Sequence, residues 1–120
     1  MKKLVAALCA SRHPMPVEDA ILPHEVDPMA FDRLERQVFV GLSRLASKHG
    51  MVRWVSSPDP DSWGADMVEP INDIAEVHCY VTGLTSAVVA LVKVCRDEGI
   101  SLTLLHHDRE SGEYLPQKVL

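Results

Sequence analysis

The chain has 120 residues, 47% of them hydrophobic and 24% charged, which predicts a single compact domain over residues 1–120 with one modest core. Its formal net charge of −5 argues against binding duplex nucleic acid, because such affinity comes mainly from many phosphate contacts by Lys and Arg. No segment approaches the ~18 uninterrupted apolar residues of a membrane span, so we expect a cytoplasmic protein with no membrane contact.

The first half of the chain predicts one strand, one loop and one long helix. MKKLVAALCA at residues 1–10 contains an apolar run of strand length, too short for a signal peptide. Residues 11–27 hold three prolines and predict a loop. Asp27 as N-cap and Pro28 at the first helical position predict a helix that ends at Gly50. Its apolar stripe consists of Leu34, Val38, Leu42 and Leu45.

The second half predicts three further strands, one helix and an edge strand. MVRWVSS at 51–57 is typical of a strand, and PDPDSWGADMVEP after it is typical of a loop. EVHCYVTG at 76–83 predicts a third strand, and a helix capped by Thr85 or Ser86 runs from there to Gly99. ISLTLLHH predicts a fourth strand, DRESG a turn, and EYLPQKV an antiparallel edge strand that tolerates Pro116.

This order of elements predicts an α/β fold. We expect a Rossmann-like, mostly parallel sheet of four to five strands with two main helices and an antiparallel C-terminal edge strand. The alternative is a ferredoxin-like βαββαβ arrangement, in which the first strand runs the other way. The connection between the second and third strands, roughly eighteen residues where a hairpin needs ~2–5, favours the parallel arrangement.

Two patterns bear on chemistry and assembly. Cys9, Cys79 and Cys95 are odd in number, far apart and set in apolar surroundings, which predicts reduced core thiols. The second helix is apolar nearly all round from Ala87 to Leu91, and two strands are apolar on both faces. Such elements are buried from more than one side, so we expect a homodimer.

The candidate site lies where the third and fourth strands end. A strand, helix, strand unit of this length crosses over right-handedly and leaves its strands parallel, so their carboxyl ends share one edge of the sheet. Two groups of residues therefore meet there. The candidate ligand-binding residues are Thr82, Gly83, Leu84, Thr85 and Ser86, and the candidate catalytic residues are His106, His107, Asp108 and Arg109.

These residue types can bind a small anionic nucleotide. A helix N-terminus after a glycine turn offers free N–H donors and a favourable dipole, histidine transfers protons near neutral pH, and arginine grips phosphate. Adjacent strand residues point to opposite faces, so one histidine at most serves the site. Simpler interpretations remain: TGLTS is typical of a turn with an N-cap, and DRESG of a polar hairpin turn in which Asp108 accepts local backbone bonds.

Further residues join the site only in one topology. In an all-parallel sheet, Ser11, Arg12 and His13 follow the first strand at the same edge and add a second cation and base. A metal site built from His78, His106, His107 and Asp108 is the weaker chemical alternative, because these residues lack helical ligand spacing. We therefore expect no cofactor and no metal.

GLTSAVVALVKVCRDEG followed by an apolar strand ending in HHDRESGEY resembles the carboxyl half of small ancillary proteins of type III CRISPR systems, the ring nucleases and cyclic oligoadenylate binders. SRHP after the first strand resembles a motif in one such family. The resemblance covers about the last 45 residues and this tetrapeptide. It implies a small α/β dimer that binds cyclic tetra-adenylate across its two-fold axis and cuts it by 2′-hydroxyl attack on the adjacent phosphodiester. Asp108, Arg109 and residues 83–86 match its site positions, whereas the Pro-rich segments 11–28 and 57–70 depart from it.

The competing class is a non-catalytic interaction protein, such as an immunity or phage-encoded inhibitor protein, that binds a protein partner. Small size, acidity and a dimeric fold suit it equally well. The acidic loop PDPDSWGAD with an exposed Trp63 would then form the partner surface.

Overall fold

The computed structural model describes residues 2–9, 16–23, 26–58, 66–81 and 84–120. Within these ranges the chain forms seven strands and two helices. In chain order they are β1 (Lys3–Cys9), β2 (Ala20–Leu22), α1 (Phe31–Lys48), β3 (Val52–Pro58), β4 (Asp66–Asn72), β5 (Glu76–Tyr80), α2 (Thr85–Glu98), β6 (Ser101–His107) and β7 (Tyr114–Lys118).

Among the described residues the main sheet has five strands in the order β2-β1-β5-β6-β7. The pairs β1–β2, β1–β5 and β5–β6 are parallel, and β6–β7 is antiparallel. The predicted mixed α/β fold, with a mostly parallel sheet, two helices and an antiparallel C-terminal edge strand, is confirmed. The ferredoxin-like alternative is wrong, because the first strand is parallel to its neighbour β5.

Both helices lie on one face of this sheet. α1 packs against α2 and β2, and α2 packs against β6. The sheet contributes alternate residues to this interface, because side chains alternate between faces along a strand. Buried residues of this core include Leu4 and Leu8 of β1, Val77 and Cys79 of β5, and Leu102 and Leu104 of β6. The predicted stripe of α1 is confirmed, since Leu34, Val38, Leu42 and Leu45 are all fully buried.

The helix boundaries differ from the predicted ones at both N-termini. α1 begins at Phe31 with Ala30 as N-cap, and Asp27 instead accepts a bond from Met29 N at 2.9 Å within a preceding turn. α2 begins at Thr85, and its N-cap is Leu84, which makes no side-chain cap. The predicted caps Asp27, Thr85 and Ser86 are therefore wrong, although α1 does end just before Gly50 and α2 at Gly99.

Two segments predicted as loops contain strands. Ala20–Leu22, inside the predicted loop 11–27, forms the edge strand next to β1. Asp66–Asn72 pairs antiparallel with Val52–Pro58 in a separate two-stranded sheet. Pro58 and Pro70 are tolerated there because both strands of a two-stranded sheet are edges. The second predicted strand thus lies outside the main sheet. The long connection after it therefore does not explain why the strands of the main sheet are parallel. Trp63, the proposed partner residue, falls outside the described residues.

The second face of the main sheet carries no helix in the described part of the chain. The register places Val5, His78 and Thr103 in one row across it, and Ala7, Tyr80, Leu105 and Pro116 in the next. Ala7 and Thr103 are nonetheless buried, whereas Tyr80 and Leu105 are half-buried. β1 is therefore buried on both faces within one chain, and this feature alone does not require a partner subunit.

The three cysteines are buried and free, as predicted. Burial raises the pKa of the Cys95 thiol to about 12, and it raises the pKa of Cys79 further still, with smaller contributions from Cys95 and Cys9. The pKa of Cys9 is also raised by burial. Neither helix in the described ranges is long and apolar enough to cross a bilayer.

Backbone contact and ion pairing hold β2 against α1. A Cβ atom at Gly41 would lie 2.0 Å from the carbonyl oxygen of Ile21, so only glycine permits this approach of helix and strand. Arg44 Nη2 donates to the carbonyl oxygen of Ala20 at 2.8 Å. Asp19, just before β2, binds both Lys48 Nζ at 2.5 Å and His49 Nε2 at 2.6 Å.

Candidate functional site

The parallel pairing brings three strand ends to one edge of the main sheet. Tyr80 lies opposite both Ala7 of β1 and Leu105 of β6, and Val81 N donates to the Leu105 carbonyl at 3.1 Å. The chain then enters α2 at Thr85, so the N-terminus of α2 follows directly from this edge. Five predicted ligand-binding residues fall outside the described residues: Ser11, Arg12, His13, Thr82 and Gly83.

The two histidines at the end of β6 point to opposite faces, as strand periodicity predicts. His106 lies on the helix-covered side, where its Nε2 is 2.8 Å from Gln117 Oε1. His107 lies on the other side, against Tyr114 of β7, with ring centroids 5.2 Å apart and planes at 59°. Both residues are exposed, so both ring edges are accessible to solvent and to a ligand.

Tyr80, Tyr114 and His107 form an aromatic cluster on the uncovered face at this edge. The rings of Tyr80 and Tyr114 are 4.7 Å apart at 86°, in an edge-to-face contact, and Tyr114 contacts His107 on its other side. The pattern of the sequence did not single out either tyrosine, because they are separated by 33 intervening positions and meet only through the register of β5, β6 and β7. Such a cluster offers ring faces and edges on which a nucleobase can stack.

Asp108 builds the turn between β6 and β7. Its Oδ2 accepts from Ser111 Oγ at 2.8 Å and its Oδ1 from Glu110 N at 3.2 Å. Its backbone N–H donates to the Glu113 carbonyl, and its carbonyl accepts from Gly112 N. Gly112 has a φ of 72°, a conformation that favours glycine. The Ser111 hydroxyl, with backbone N–H donors, holds the pKa of Asp108 below its ordinary value. Asp108 is thus ionised at neutral pH and occupied by local donors, which suits a turn residue better than a proton acceptor.

The remaining predicted residues surround this turn and the start of α2. Arg109 is exposed in the turn, next to Asp108. Thr85 is exposed and Ser86 half-buried in the first turn of α2, whose N–H donors meet no side-chain cap within the described ranges. Ser86 also lines a cavity of about 280 Å³ between the two helices, together with Phe31, Glu35, Val89, Ala90 and Lys93.

The third described histidine of the sheet, His78, is paired elsewhere. Its Nε2 lies 2.6 Å from Glu76 Oε1 on the same strand, and this hydrogen bond lowers the pKa of Glu76. In the described part of the chain, no group of three or more His, Cys, Asp or Glu residues is arranged to hold a metal ion. His78 therefore has a local partner rather than a place at the carboxyl edge.

Comparison of the chain with models of protein families, with curated proteins and with solved structures found no match. The chemistry available at the carboxyl edge follows from the residues that lie there. They comprise stacking rings, one arginine, two accessible imidazoles and a helix N-terminus, which together suit an anionic ligand that carries planar bases.

Proposed function

We propose that the chain binds a small anionic nucleotide, of the cyclic oligoadenylate class, at the carboxyl edge of its main sheet. The observation that carries this proposal is the cluster of Tyr80, Tyr114 and His107 at the end of parallel strands. A Rossmann-like fold is part of the proposal, because open parallel sheets bind ligands at their carboxyl edge. The resemblance to type III CRISPR ancillary proteins supports the choice of ligand.

Each group has a distinct part in ligand binding. The aromatic cluster supplies a surface on which adenine stacks, worth roughly 1–3 kcal/mol per base. Arg109, which is exposed two positions after His107 in the chain, pairs with a phosphate of the ligand. The N–H donors of Thr85 and Ser86 at the start of α2 face negative charge with a favourable helix dipole.

The same residues support cleavage without metal. The ligand's 2′-hydroxyl attacks the adjacent phosphorus, a 2′,3′-cyclic phosphate forms and the bond to the 5′-oxygen breaks. His107 accepts the proton of the 2′-hydroxyl, and a proton returned to the 5′-oxygen completes the reaction. His106 points to the opposite face of the sheet, so water supplies the proton for the 5′-oxygen, and Arg109 stabilises charge on the phosphoryl oxygens. Asp108 holds the turn that presents both neighbours.

We propose that the active form is a homodimer joined through the N-terminal ends of the two helices. Phe31 and Val89 line the cavity between them and are 57% and 49% exposed. α1 follows the carboxyl end of β2, and α2 follows the carboxyl end of β5. Phe31 and Val89, near the start of these helices, therefore lie at the same end of the molecule as the ligand site. A two-fold axis here brings two sites together around one cyclic ligand.

Calorimetric titration and thermal melting with cyclic tetra-adenylate, linear tetra-adenylate, AMP and inorganic phosphate test the proposal. We expect the cyclic ligand to raise Tm by several degrees, since a ligand at a hundred times its Kd stabilises by about 2.7 kcal/mol. Arg109→Ala and Tyr114→Leu should each weaken binding about tenfold, which corresponds to ~1.4 kcal/mol. Arg96→Ala, at an exposed position in the last turn of α2, is the matched control and should bind normally.

Two further variants separate binding from cleavage and from the integrity of the turn. His107→Ala should abolish cleavage of cyclic tetra-adenylate with a smaller loss of binding. Ser111→Ala removes the hydroxyl that binds Asp108 but no charge, so it reports the effect of loosening the turn alone. If none of the four ligands shifts Tm, or if Arg109→Ala and Tyr114→Leu bind like the control, the proposal fails.

A further inference from the structure

A second groove lies at the lateral edge of the sheet that β2 forms, between β2 and α1. Its volume is about 620 Å³. One wall is a continuous run of chain from Glu18 to Pro23, which includes all of β2. The other wall is α1, through Arg36, Gln37, Val40, Gly41, Arg44 and Lys48.

The strand wall presents unpaired backbone groups. β2 pairs with β1 alone, and the described residues place no strand on its other side. Ala7 N donates to Asp19 O at 2.8 Å, and in a parallel ladder alternate residues direct both N–H and C=O to the same neighbour. Asp19 and Ile21 therefore face β1, whereas Ala20 and Leu22 face the groove. Of these outward groups, the Ala20 carbonyl already accepts from Arg44.

The helix wall is basic and contains an acceptor without a donor. Arg36, Val40, Arg44 and Lys48 recur every four residues and so form one stripe along the groove. Lys48 is bound to Asp19, but Arg36 is exposed and makes no ion pair within the described ranges. Gln37 Oε1 is buried and has no hydrogen-bond partner among the residues that the structure describes. An unmatched buried acceptor is costly in a folded protein and calls for a donor from elsewhere.

We propose that this groove binds an extended acidic peptide segment of a partner protein, which adds to β2 as a further strand. Strand addition to a free sheet edge supplies backbone hydrogen bonds, and pockets for alternate side chains supply specificity. The peptide's carbonyl groups accept from the outward N–H groups of Ala20 and Leu22, and its N–H groups donate to the Leu22 carbonyl and to Gln37 Oε1. Every second side chain faces α1, where Arg36 and Arg44 favour Asp and Glu, whereas Lys48 is already paired with Asp19.

The dimensions of the groove match such a segment. From Arg36 to Lys48 the helix rises about 18 Å at ~1.5 Å per residue, and about five or six extended residues at ~3.3 Å each cover the same length. Val40, which is 57% exposed in the middle of the helix wall, provides an apolar contact between the charged positions. Glu18 on the strand wall repels acidic side chains of the peptide, but only at the end of the groove where Glu18 lies. Asp19 adds no repulsion, because Lys48 and His49 already neutralise it.

Selection from a random peptide library displayed on phage, followed by calorimetric titration of the enriched peptides, tests the proposal. We expect enriched peptides to carry Asp or Glu at alternate positions. Arg36→Glu should weaken their binding at least about tenfold, while Arg33→Glu, an exposed position on the same helix outside the groove, should leave it unchanged. Ala20→Pro removes an outward N–H without touching the β1 ladder and should also weaken binding about tenfold.

The Gln37→Leu variant distinguishes a role of Gln37 in peptide binding from a purely structural role. It should keep or raise Tm, because it removes a buried unmatched acceptor, and yet weaken peptide binding. If Ala20→Pro fails to fold, a peptide N-methylated at alternate amides replaces it and should not bind.

The proposal is overturned if no peptide is enriched, if the enriched peptides lack the acidic pattern, or if binding survives Ala20→Pro or N-methylation. It is equally overturned if single-stranded RNA binds the same stripe and displaces the peptide equally well from the wild type and from the Ala20→Pro variant. Because the groove lies at the β2 edge and the nucleotide site at the end of β6, either proposal can fail without the other.

Discussion

Asp19 joins the start of β2 to the end of α1 through two ion pairs, with Lys48 and with His49. The side-chain hydrogen bond from Lys48, followed by that from His49, holds the pKa of Asp19 below its ordinary value. A carboxylate with a lowered pKa stabilises the fold above its unfolded pKa. That contribution is lost as the pH falls through the folded pKa.

We therefore expect Asp19→Asn to lower the free energy of unfolding by about 1 kcal/mol at pH 7, since solvent screens Lys48 and, to a lesser degree, His49. The difference between variant and wild type should shrink as the pH falls below about 4, the unfolded value for Asp. Urea unfolding at pH 7 and pH 3 measures it. Glu110→Gln, at an exposed turn position, is the control; equal effects of the two substitutions at pH 7 would contradict the assigned role.

The cysteines give a second prediction for single residues. Thiolate is the reactive form, and burial raises the pKa of Cys95 to about 12 and that of Cys79 further. Iodoacetamide at pH 8 should leave both unmodified in the native protein, whereas all three cysteines should react in denaturant. Mass spectrometry of the alkylated peptides reads out each site. Rapid native labelling of Cys79 would show that the core opens at this strand.

The residues of the candidate site were only partly predictable from the sequence. The period of a strand correctly predicted that His106 and His107 point to opposite faces, because this follows from backbone geometry alone. The polar composition of DRESG likewise indicated the turn that Asp108 and Gly112 build. The contact of Tyr80 with Tyr114 was not predictable, since it depends on a register between three strands that no local pattern encodes.

At the level of elements, the contact of α1 with β2 depends on the absence of a side chain at Gly41. A Cβ at Gly41 would lie 2.0 Å from Ile21 O, which is backbone and cannot move alone. We expect Gly41→Ala to destabilise the protein by about 1–3 kcal/mol through overpacking, although alanine favours helix by ~1 kcal/mol over glycine. Ser47→Ala, exposed on the same helix, should be neutral or slightly stabilising. Chemical denaturation of both variants measures the difference, and a stabilising Gly41→Ala would refute the contact.

Helices and long strands were easier to predict than short or two-stranded elements. Eighteen residues of α1 repeat an apolar stripe, so the helix was evident although its N-terminus was misplaced by three residues, from Pro28 to Phe31. β2 has only three residues, too few for periodicity to stand out between prolines. In β4, Pro70 argues against a strand unless that strand has a free edge, which sequence alone cannot reveal.

For the whole molecule, the proposed homodimer is the property most open to measurement. Phe31 and Val89 are exposed, large and apolar, and lie beside one another at the helix N-terminal end. We expect light scattering after gel filtration to give a dimer at micromolar concentration, and Phe31→Glu combined with Val89→Lys to give a monomer. Leu115→Lys, at an exposed apolar position on β7, is the control and should remain dimeric. A wild-type monomer at these concentrations would contradict the dimer.

Pro116 determines how the sheet can associate with other chains. Asp108 N donates to Glu113 O, and bonded pairs alternate along an antiparallel ladder, so Leu105 and Pro116 form a non-bonded pair. The proline nitrogen thus takes the central outward position of β7 and offers no donor there. Of the two outer strands in the described part of the sheet, only β2 keeps an N–H donor at each of its outward positions, Ala20 and Leu22. Head-to-tail growth, which needs two receptive edges, stops after one step, so we expect edge pairing of this sheet to yield closed pairs rather than fibrils.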